Sequence, residues 1–418
     1  MSTVSIIAIG DELLLGQTIN SNAAWLGDEL ASIGWRVMRV VTIGDDRQQI
    51  ADVIRDETMR SNVVITSGGL GPTHDDVTRA AICDLLGCEL EDDLAQLHLI
   101  RERFRARGIE PNERSLLQAR VPSACVRLPN HHGSAPGLKF AVGDATVYVL
   151  PGVPSELRGI TNDSILPALA DRGGYLDRRT FLVVGVAESV LADALAETEP
   201  LLDVNVTLAY LPSTEGVRVR VMLLSEDPDA EQRFINLVAM IRTLAAEWIV
   251  SDCDEPLAGA VGREFTRRGM TLGTAESCTG GGIGEAITAI PGASTWYCGG
   301  VIVYSNVLKT VLLGVPPELI EEHGAVSDKV AAAMAVGAMR CIGSDVAVAV
   351  TGVAGPDGGT DQKPVGTVFI AVASSRGVDV RDYRFSGGRA EIRERTVTAA
   401  LDLIGRSIRD VSTEIHQH

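Results

Sequence analysis

The segment Thr274–Gly282, TAESCTGGG, combines a carboxylate, hydroxyl and thiol side chains, and three consecutive glycines. Strand-forming and small residues precede it, and a helical pattern over 283–290 follows it. Such a strand-to-helix turn can bring backbone N–H groups close to an anion at a helix N-terminus. The glycines could instead only permit unusual backbone angles in a tight turn. Packing alone does not require the four side chains of Glu276–Thr279 together, and we therefore predict a functional site.

A second cluster, Ser67–Thr78, follows a predicted strand and contains three glycines and the pair Asp75-Asp76. Glycines let a backbone wrap around a phosphate, and carboxylates can hold a hard cation such as Mg²⁺ that bridges phosphate oxygens. The alternative is that both aspartates only cap the following helix and complement its dipole. We expect this of one aspartate but not of both, and we predict a phosphate and metal site here.

Arg389 precedes the last predicted helix and follows two glycines. An always-charged guanidinium beside free helix N–H groups is a good phosphate ligand. A surface ion pair with Glu391 or Glu394 accounts for the same residue equally well. The residues alone leave these two interpretations open.

The predicted elements bring such polar clusters to one edge of a sheet. Apolar runs at 4–9, 35–43 and 62–66 alternate with helical patterns at 18–33 and 47–60. This alternation predicts a parallel sheet with right-handed crossovers, in which ligands bind beyond the carboxyl ends of the strands. The C-terminal part repeats the order of strand, glycine-rich loop and helix. We predict the α/β class for both ends of the chain.

The length of 418 residues allows two or three domains. We predict three, at 1–170, 171–252 and 253–418, with a charged, glycine-containing linker at 171–179. The middle part has the pattern of a small α+β unit. Acidic residues outnumber basic ones there and no basic GxxG loop is present, so we expect a spacer or dimer-contact domain without catalysis.

Composition restricts the possible functions. The formal net charge of -18 weighs against a general nucleic-acid binder, which would present a basic face. No apolar run is long enough to cross a membrane, and the first residues lack the basic region of a signal peptide. The seven cysteines form no CxxC pair, which fits reduced thiols. We expect a cytoplasmic protein.

Three N-terminal segments, GDELLLGQTINSNAAWL, TSGGLGPTHDDVT and LPGVPSEL, resemble the N-terminal domain of the CinA family. That domain is similar to molybdopterin-binding domains, which implies a three-layer α/β fold. The family's ADP-ribose pyrophosphatase activity implies a metal-assisted cleavage of a pyrophosphate. The resemblance assigns nucleotide binding to Gly68, Gly69, Gly71, Thr73, Gly152 and Glu156, and a divalent metal such as Mg²⁺ to Asp76, with Asp45 and Glu12 as further candidates. Glu156 could instead be only a helix-start carboxylate, and 130–137 would form another loop over the nucleotide.

The C-terminal segments AESCTGG, GGVIVYSN, HGAVS, TGVAGPDGG, KPVGTV and FSGGR are similar to the C-terminal domain of the same family. Members with this domain convert nicotinamide mononucleotide to nicotinate mononucleotide and ammonia, and the middle part resembles their KH-like connecting domain. This chain has Gly388 where many relatives have an aspartate before the arginine. The resemblance assigns substrate binding to Glu276, Ser277, Thr279, Gly280, Gly281, Thr351, Gly355 and Arg389.

Amide hydrolysis needs a nucleophile, a base and donors for an oxyanion. The seven scattered histidines give no Ser-His-Asp arrangement, and a Ser-Lys pair is the economical alternative. We predict Ser294 as the nucleophile, Lys309 as the base and Tyr304 as a proton relay, since burial in an apolar helix would favour a neutral lysine. Lys309 could instead be a solvated helix residue, and Ser294 a turn cap.

Cys278 is the rival nucleophile. It lies at a predicted helix start, where the pKa of a thiol tends to fall. A cysteine in such a place is more often a small buried packing residue. We therefore predict that Cys278→Ala retains amidase activity.

These inferences lead to a bifunctional enzyme as the first hypothesis. The amidase would need no cofactor, and the N-terminal pyrophosphatase would need a divalent metal. We expect small nucleotides as partners, no nucleic acid, no membrane and a homodimer. The alternatives are a nucleotide-binding regulator linked to competence, with weak or no catalysis, and a molybdenum-cofactor enzyme.

Overall fold

The structure, a computed structural model, describes residues 2–71, 76–170 and 177–409 of the chain. These residues separate into two compact units. The first contains the chain up to Asp177 together with Leu223–Asp227, and the second contains the remainder. Both units combine helices with sheets, which confirms the predicted α/β class. No helix within the described ranges has the length and apolar character needed to cross a membrane.

The first unit contains eight strands and eight α-helices among its described residues. The strands are β1 (Thr3–Ile9), β2 (Arg36–Ile43), β3 (Val63–Ser67), β4 (Leu90–Asp92), β5 (Arg120–Pro122), β6 (Val126–Leu128), β7 (Gly137–Val142) and β8 (Ala145–Leu150). The helices are α1 (Asp11–Leu14), α2 (Ser21–Ser32), α3 (Arg47–Thr58), α4 (Thr78–Leu86), α5 (Leu94–Ala106), α6 (Glu113–Leu117), α7 (Pro154–Ile160) and α8 (Leu166–Ala170), with a π-helical turn at Thr161–Ile165.

A six-stranded sheet in the order β2-β1-β3-β8-β7-β6 forms the centre of this unit. Strands β2, β1, β3 and β8 are parallel, and β7 and β6 extend the sheet by antiparallel pairing. Ile6 packs in a core with α2 and α7, whereas its neighbour Ile7 packs in a core with α3 and α4. Helices therefore cover both faces, which explains why β1 is buried from Val4 to Ile9 and is mostly apolar.

The second unit begins with a small sheet in the order β10-β11-β9-β12. Its elements are β9 (Asp177–Val183), α9 (Glu188–Ala194), a 3₁₀ turn at Ala196–Leu201, β10 (Val206–Ser213), β11 (Gly216–Leu223), α10 (Pro228–Leu244) and β12 (Ile249–Ser251). Strand β11 alternates between buried and half-buried residues, and α10 covers one face of the sheet with Phe234, Leu237 and Ile241. This is the small α+β unit predicted for the middle of the chain.

The rest of the second unit is a three-layer α/β arrangement around a sheet in the order β14-β13-β15-β16-β17. Its strands are β13 (Leu272–Glu276), β14 (Tyr297–Ile302), β15 (Val346–Gly352), β16 (Thr367–Ser374) and β17 (Gly377–Arg384). Its helices are α11 (Leu257–Arg268), α12 (Gly282–Thr288), α13 (Asn306–Leu313), α14 (Pro317–His323), α15 (Asp328–Ile342) and α16 (Arg389–Arg409). β13 is parallel to β14 and β15, and β16 and β17 add antiparallel pairs.

Alternation along β15 builds a different core on each face of this sheet. Val346, Val348 and Val350 face the layer of α11, α12 and α16, whereas Ala347 and Ala349 face α15. Small residues on the second face let α15 lie close to the sheet. Parallel β13 and β15 end at the same edge, and that edge carries the site described next.

Candidate functional site

Ser277 directly follows β13 and lies at the carboxyl edge of the C-terminal sheet. The strand ends at Glu276, and the backbone N–H of Ser277 donates to the oxygen of Val350 on β15 at 3.2 Å. Side chains alternate along a strand. Glu276 and Ser277 accordingly line different cavities.

Lys309 reaches Ser277 from α13. Ser305 caps that helix by accepting the N–H of Leu308. The lysine is only 2% exposed, and its Nζ donates to Ser277 Oγ at 3.2 Å and to the backbone oxygen of Val303 at 2.9 Å. Burial lowers the pKa of Lys309, because desolvation disfavours the ammonium form. The site thus holds a buried amine in hydrogen-bond contact with a serine hydroxyl.

Ser277 and Lys309 line a cavity of about 180 Å³. They form its buried interior, whereas Tyr304 is 61% exposed and Arg389 is also exposed, so these two form its mouth. The cavity is lined by Ser277, Cys278, Tyr304, Asn306, Lys309, Ala325, Val326, Thr351, Gly352, Ala354 and Arg389.

Arg389 ties two loops together at this mouth. Its guanidinium donates to the backbone oxygen of Gly355 at 2.7 Å and to the hydroxyl of Tyr304 at 3.1 Å. The hydroxyl of Thr351 donates to the backbone oxygen of Ala325 at 2.8 Å, so it holds the cavity wall. An exposed guanidinium fixed in this way can bind an anionic group entering from solvent.

The first unit has a cavity of about 500 Å³ at the carboxyl edge of its parallel strands. This is the edge at which the sequence predicts a ligand. Eight of the predicted residues line it, namely Glu12, Asp45, Gly68, Gly69, Gly71, Asp76, Gly152 and Glu156. The ninth, Thr73, lies outside the described residues.

Two positions in the loop that lines this cavity leave no room for a side chain, and both are glycines. Gly68 has a φ of +124, and a methyl group there would lie 2.1 Å from the backbone oxygen of Ile9. A methyl group at Gly71 would lie 2.5 Å from Asp76 Oδ2, and Asp76 Oδ1 accepts the N–H of Gly71 at 2.7 Å. The N–H of Gly68 donates to the backbone oxygen of Leu150 at 3.0 Å, so the N–H groups of both glycines have partners within the chain. The two glycines therefore serve the tight fit of this loop against β1 and Asp76.

The carboxylates of this cavity can hold a metal ion only if water or phosphate oxygens of a bound nucleotide complete its coordination. Among the described residues, no group of three His, Cys, Asp or Glu side chains converges closely enough to hold an ion. Mg²⁺ in nucleotide sites commonly takes one or two carboxylates and completes its shell with water and phosphate oxygens. Asp76, Asp45 and Glu12, which line one cavity, match that requirement.

Glu156 is held at the opposite wall by the loop that follows β6. Asn130 donates from Nδ2 to Glu156 Oε2 at 2.6 Å and to the backbone oxygen of Ala135 at 2.7 Å. A methyl group at Gly133 would overlap the Glu156 carboxyl group. Burial raises the pKa of Glu156, and the hydrogen bond from Asn130 opposes that rise. Glu156 is thus built into the cavity wall.

Comparison with known proteins agrees with this architecture. The chain matches the family descriptions "Probable molybdopterin binding domain" over residues 5–171, "Damage-inducible protein CinA KH domain" over 178–250 and "CinA C-terminal domain" over 254–408. It is 44% identical to a CinA-like protein of Gemmatimonas aurantiaca, over 97% of this chain and 96% of that protein. The chain belongs to the CinA family.

A second relative extends over almost the same length, and a solved structure matches part of the chain. A putative competence-damage inducible protein of Desulforudis audaxviator is 39% identical over 96% of this chain and 97% of that protein. The crystal structure of a competence/damage inducible protein from Agrobacterium tumefaciens is 42% identical and covers 37% of this chain and 93% of its own, with a TM-score of 0.36. The family resemblance and the three-part fold predicted from the sequence are confirmed.

The predicted pairing of Ser294 with Lys309 in this CinA protein is wrong. Ser294 is exposed in a 3₁₀ turn, Ala293–Thr295, that precedes β14. The first residue of β14 pairs with the first residue of β13, whereas Ser277 follows the last residue of β13. Five residue steps of about 3.3 Å each separate the two serines by roughly 16 Å along the strands, at opposite ends of the parallel strands.

The structure also contradicts a phosphate site at the glycine turn. Glu276 is 2% exposed and accepts the N–H groups of Gly281, Ile283 and Gly284. The N–H of Gly280 donates to the backbone oxygen of Ser277. The N–H groups of Gly280 and Gly281, predicted above to bind an anion, therefore have partners within the chain, and Glu276 is bound to the turn itself.

Thr279 and Tyr304 have other positions than expected, whereas Cys278 is buried, in line with its interpretation as a packing residue. Thr279 is fully buried, so its hydroxyl does not reach substrate. Cys278 lines the cavity, but burial raises the pKa of its thiol to about 11, which opposes its role as a nucleophile. The hydroxyl of Tyr304 contacts Arg389, and Lys309 reaches only the backbone oxygen of Tyr304, at 3.5 Å. The hydroxyl of Tyr304 thus makes no hydrogen bond to Lys309, although the predicted proton relay would require one.

Sequence reasoning placed Ser277 among the substrate-binding residues and missed it as the partner of Lys309. A usable signal was present: Ser277 directly follows a predicted parallel strand, whereas Ser294 precedes one. Ligands in such folds bind beyond the carboxyl ends of the strands. The same rule that located the N-terminal cavity therefore favours Ser277. Asn306, the first residue of α13, lines the cavity and was also missed.

Proposed function

We propose that the site at Ser277 and Lys309 hydrolyses the carboxamide of nicotinamide mononucleotide to nicotinate mononucleotide and ammonia. The observation that supports this reaction is the buried amine of Lys309, 3.2 Å from the hydroxyl of Ser277. A nucleophile with an adjacent base is what acyl transfer requires. The substrate is inferred from the resemblance to the CinA family, and the reaction class from the geometry.

The reaction runs through two acyl transfers. Neutral Lys309 accepts the hydroxyl proton as Ser277 Oγ forms a bond to the carboxamide carbon. The tetrahedral intermediate collapses, the C–N bond breaks, and the proton on Lys309 moves to the leaving nitrogen to give ammonia. Water then loses a proton to the amine and attacks the resulting ester. The bond between the acyl carbon and Ser277 Oγ breaks, Lys309 returns the proton to Oγ, and nicotinate mononucleotide is released. Nucleophile and base both come from the chain, so the proposal needs no cofactor.

The dimensions of the cavity support a substrate that extends out of it. About 180 Å³ is small beside the roughly 300–1,000 Å³ of sites that enclose a whole ligand. The nicotinamide ring would enter the interior with its amide at Ser277. The ribose and phosphate would then extend to the mouth, where Arg389 offers an exposed guanidinium.

The test is ammonia release from nicotinamide mononucleotide by the full-length protein. We expect release that persists in EDTA, and a loss of at least about 1,000-fold in kcat for Lys309→Ala, since the base serves both steps. Lys329→Ala, an exposed lysine on α15, is the matched control and should keep full activity. Equal activity of the two variants would refute the assignment.

We further propose a metal-dependent ADP-ribose pyrophosphatase site in the first unit. Its support is the 500 Å³ cavity that is lined by a glycine-rich loop together with Asp76, Asp45 and Glu12. Asp76, Asp45 and Glu12 would hold a divalent ion there, and such an ion would supply Lewis acidity for the cleavage of the pyrophosphate. We expect Mg²⁺-dependent release of AMP from ADP-ribose, lost in Asp76→Asn. Binding of both nucleotides without turnover of either would instead support a regulatory CinA protein.

A further inference from the structure

We propose that Glu276 is a positioning residue that holds Ser277 against Lys309 by acting as the permanent anion of the glycine turn. The catalytic part of this inference rests on the proposed amidase function. The structural part does not, because it concerns only how the chain fixes the turn that carries Ser277.

The carboxylate of Glu276 accepts hydrogen bonds from the N–H groups at the start of α12. Oε2 accepts from Gly281 and Ile283, each at 3.0 Å, and Oε1 accepts from Gly284 at 2.8 Å. The first N–H groups of a helix have no partner within the helix and carry the positive end of its dipole. A buried carboxylate satisfies three of these donors at once and is itself stabilised by them.

An amide in place of the carboxylate cannot reproduce this arrangement. Glutamine has one acceptor oxygen and an NH₂ group that only donates. If the amide oxygen took the position of Oε2, the NH₂ group would face the N–H of Gly284. In the reverse orientation, the NH₂ group would face the N–H groups of Gly281 and Ile283. Glu276→Gln therefore changes few atoms but leaves at least one buried backbone N–H facing the NH₂ group, which is also a donor.

Ser277 lies between two parts of the chain that Glu276 holds in place. On one side, the backbone oxygen of Glu276 accepts the N–H of Val303 at 2.8 Å, which fixes the end of β13. On the other, the backbone oxygen of Ser277 accepts the N–H of Gly280, and Gly281 is bound to the carboxylate. Loss of the carboxylate would release the turn and let Ser277 Oγ move away from Lys309 Nζ.

A second cavity gives small anions access to this position. It has a volume of about 250 Å³, and its lining includes Thr274, Glu276, Gly281, Gly284, Tyr297 and Gly300. It does not include Ser277 or Lys309. In Glu276→Ala, a formate ion entering here could accept the same N–H groups without occupying the substrate cavity.

The experiment compares Glu276→Ala, Glu276→Gln and the control Glu285→Gln in the full-length protein. Glu285 lies in the same first turn of α12 but is exposed, so its change should leave kcat and KM unchanged. We expect both Glu276 variants to lose about 10- to 100-fold in kcat, the cost of misplacing a reacting group, with KM within about twofold. Formate should restore kcat in Glu276→Ala and not in Glu276→Gln, whose side chain still fills the position.

Amide hydrogen exchange provides a readout that does not depend on activity. Gly281, Ile283 and Gly284 should exchange faster in both Glu276 variants, and formate should slow them again in Glu276→Ala. Unchanged kcat in Glu276→Gln, unchanged exchange, or no effect of formate on a folded Glu276→Ala protein would each overturn the proposal. If the wild type releases no ammonia, the amidase proposal fails, and the exchange data still decide whether Glu276 holds the turn.

Discussion

Lys309 is nearly inaccessible to water, and this position controls how the proposed amidase responds to pH. Its pKa is lowered from the ordinary 10.5 by burial. The base must be neutral to accept the proton of Ser277. Activity is therefore expected to rise with pH through the lowered pKa of Lys309 and to level off above it. Measurement of kcat/KM for nicotinamide mononucleotide against pH gives this value.

A midpoint clearly below 10.5 would agree with the buried amine. A rate that falls as pH rises through the same range would contradict it, because the protonated lysine would then be the active form. Lys329→Ala serves as the control here as well, since that lysine is exposed and should leave the profile unchanged.

Cys278 illustrates at the same scale how burial decides between two nucleophiles. Burial raises the pKa of its thiol to about 11, so the thiol is almost entirely protonated near neutral pH. We expect Cys278→Ala to keep kcat within about threefold of the wild type, and iodoacetamide to leave the native enzyme active. Rapid loss of ammonia release on alkylation, prevented by Cys278→Ala, would show a reactive thiol in the site.

At the scale of elements, the helix that carries Lys309 depends on close packing against α15. A methyl group added at Gly337 would lie 2.1 Å from the backbone oxygen of Leu313, the last residue of α13. Gly337→Ala should therefore push the two helices apart, cost about 1–3 kcal/mol of unfolding free energy, and lower kcat by displacing Lys309. Thermal or urea unfolding together with the ammonia assay measures both effects.

The matched control for this packing is Val336→Ala on the same helix. Val336 is exposed, so its truncation should change the unfolding free energy by no more than about 0.5 kcal/mol. If Gly337→Ala were as stable and as active as Val336→Ala, the contact between α13 and α15 would not be what holds Lys309.

The elements themselves were largely predictable from the sequence, and the reason is local. Ser305 and Ser327 directly precede helical patterns, and each accepts the N–H three residues further on, as a serine at a helix N-cap commonly does. Alternation of strands and helices fixed the sheet edge at which ligands bind, so the N-terminal cavity could be predicted from Ser67–Thr78. These signals depend only on neighbouring residues.

The site inside the C-terminal domain was less predictable because it depends on which way side chains point. Lys309 was identified, but its partner depends on the register that aligns β13 with β14. The glycine turn has the composition of an anion site, and its anion is the chain's own Glu276. No pattern in the sequence distinguishes a carboxylate that turns back onto its own helix from one that faces a ligand.

At the scale of the whole molecule, the two proposed activities belong to separate compact units with their own sheets and cavities. We therefore expect substitutions in the two units to have independent effects. Ser277→Ala should abolish ammonia release and leave the cleavage of ADP-ribose unchanged, and Asp76→Asn should do the reverse. Both assays on both full-length variants form the experiment, and parallel loss of the two activities would indicate a common site or coupled units.

The most direct test of the central claim compares Ser277→Ala with Ser294→Ala in the release of ammonia from nicotinamide mononucleotide. The two variants remove the same hydroxyl group from opposite ends of the parallel strands of one sheet. The geometry predicts that Ser277→Ala loses at least about 1,000-fold in kcat, as nucleophile removal does, while Ser294→Ala stays within about twofold of the wild type. An active Ser277→Ala protein, or an inactive Ser294→Ala protein with a native fold, would contradict it.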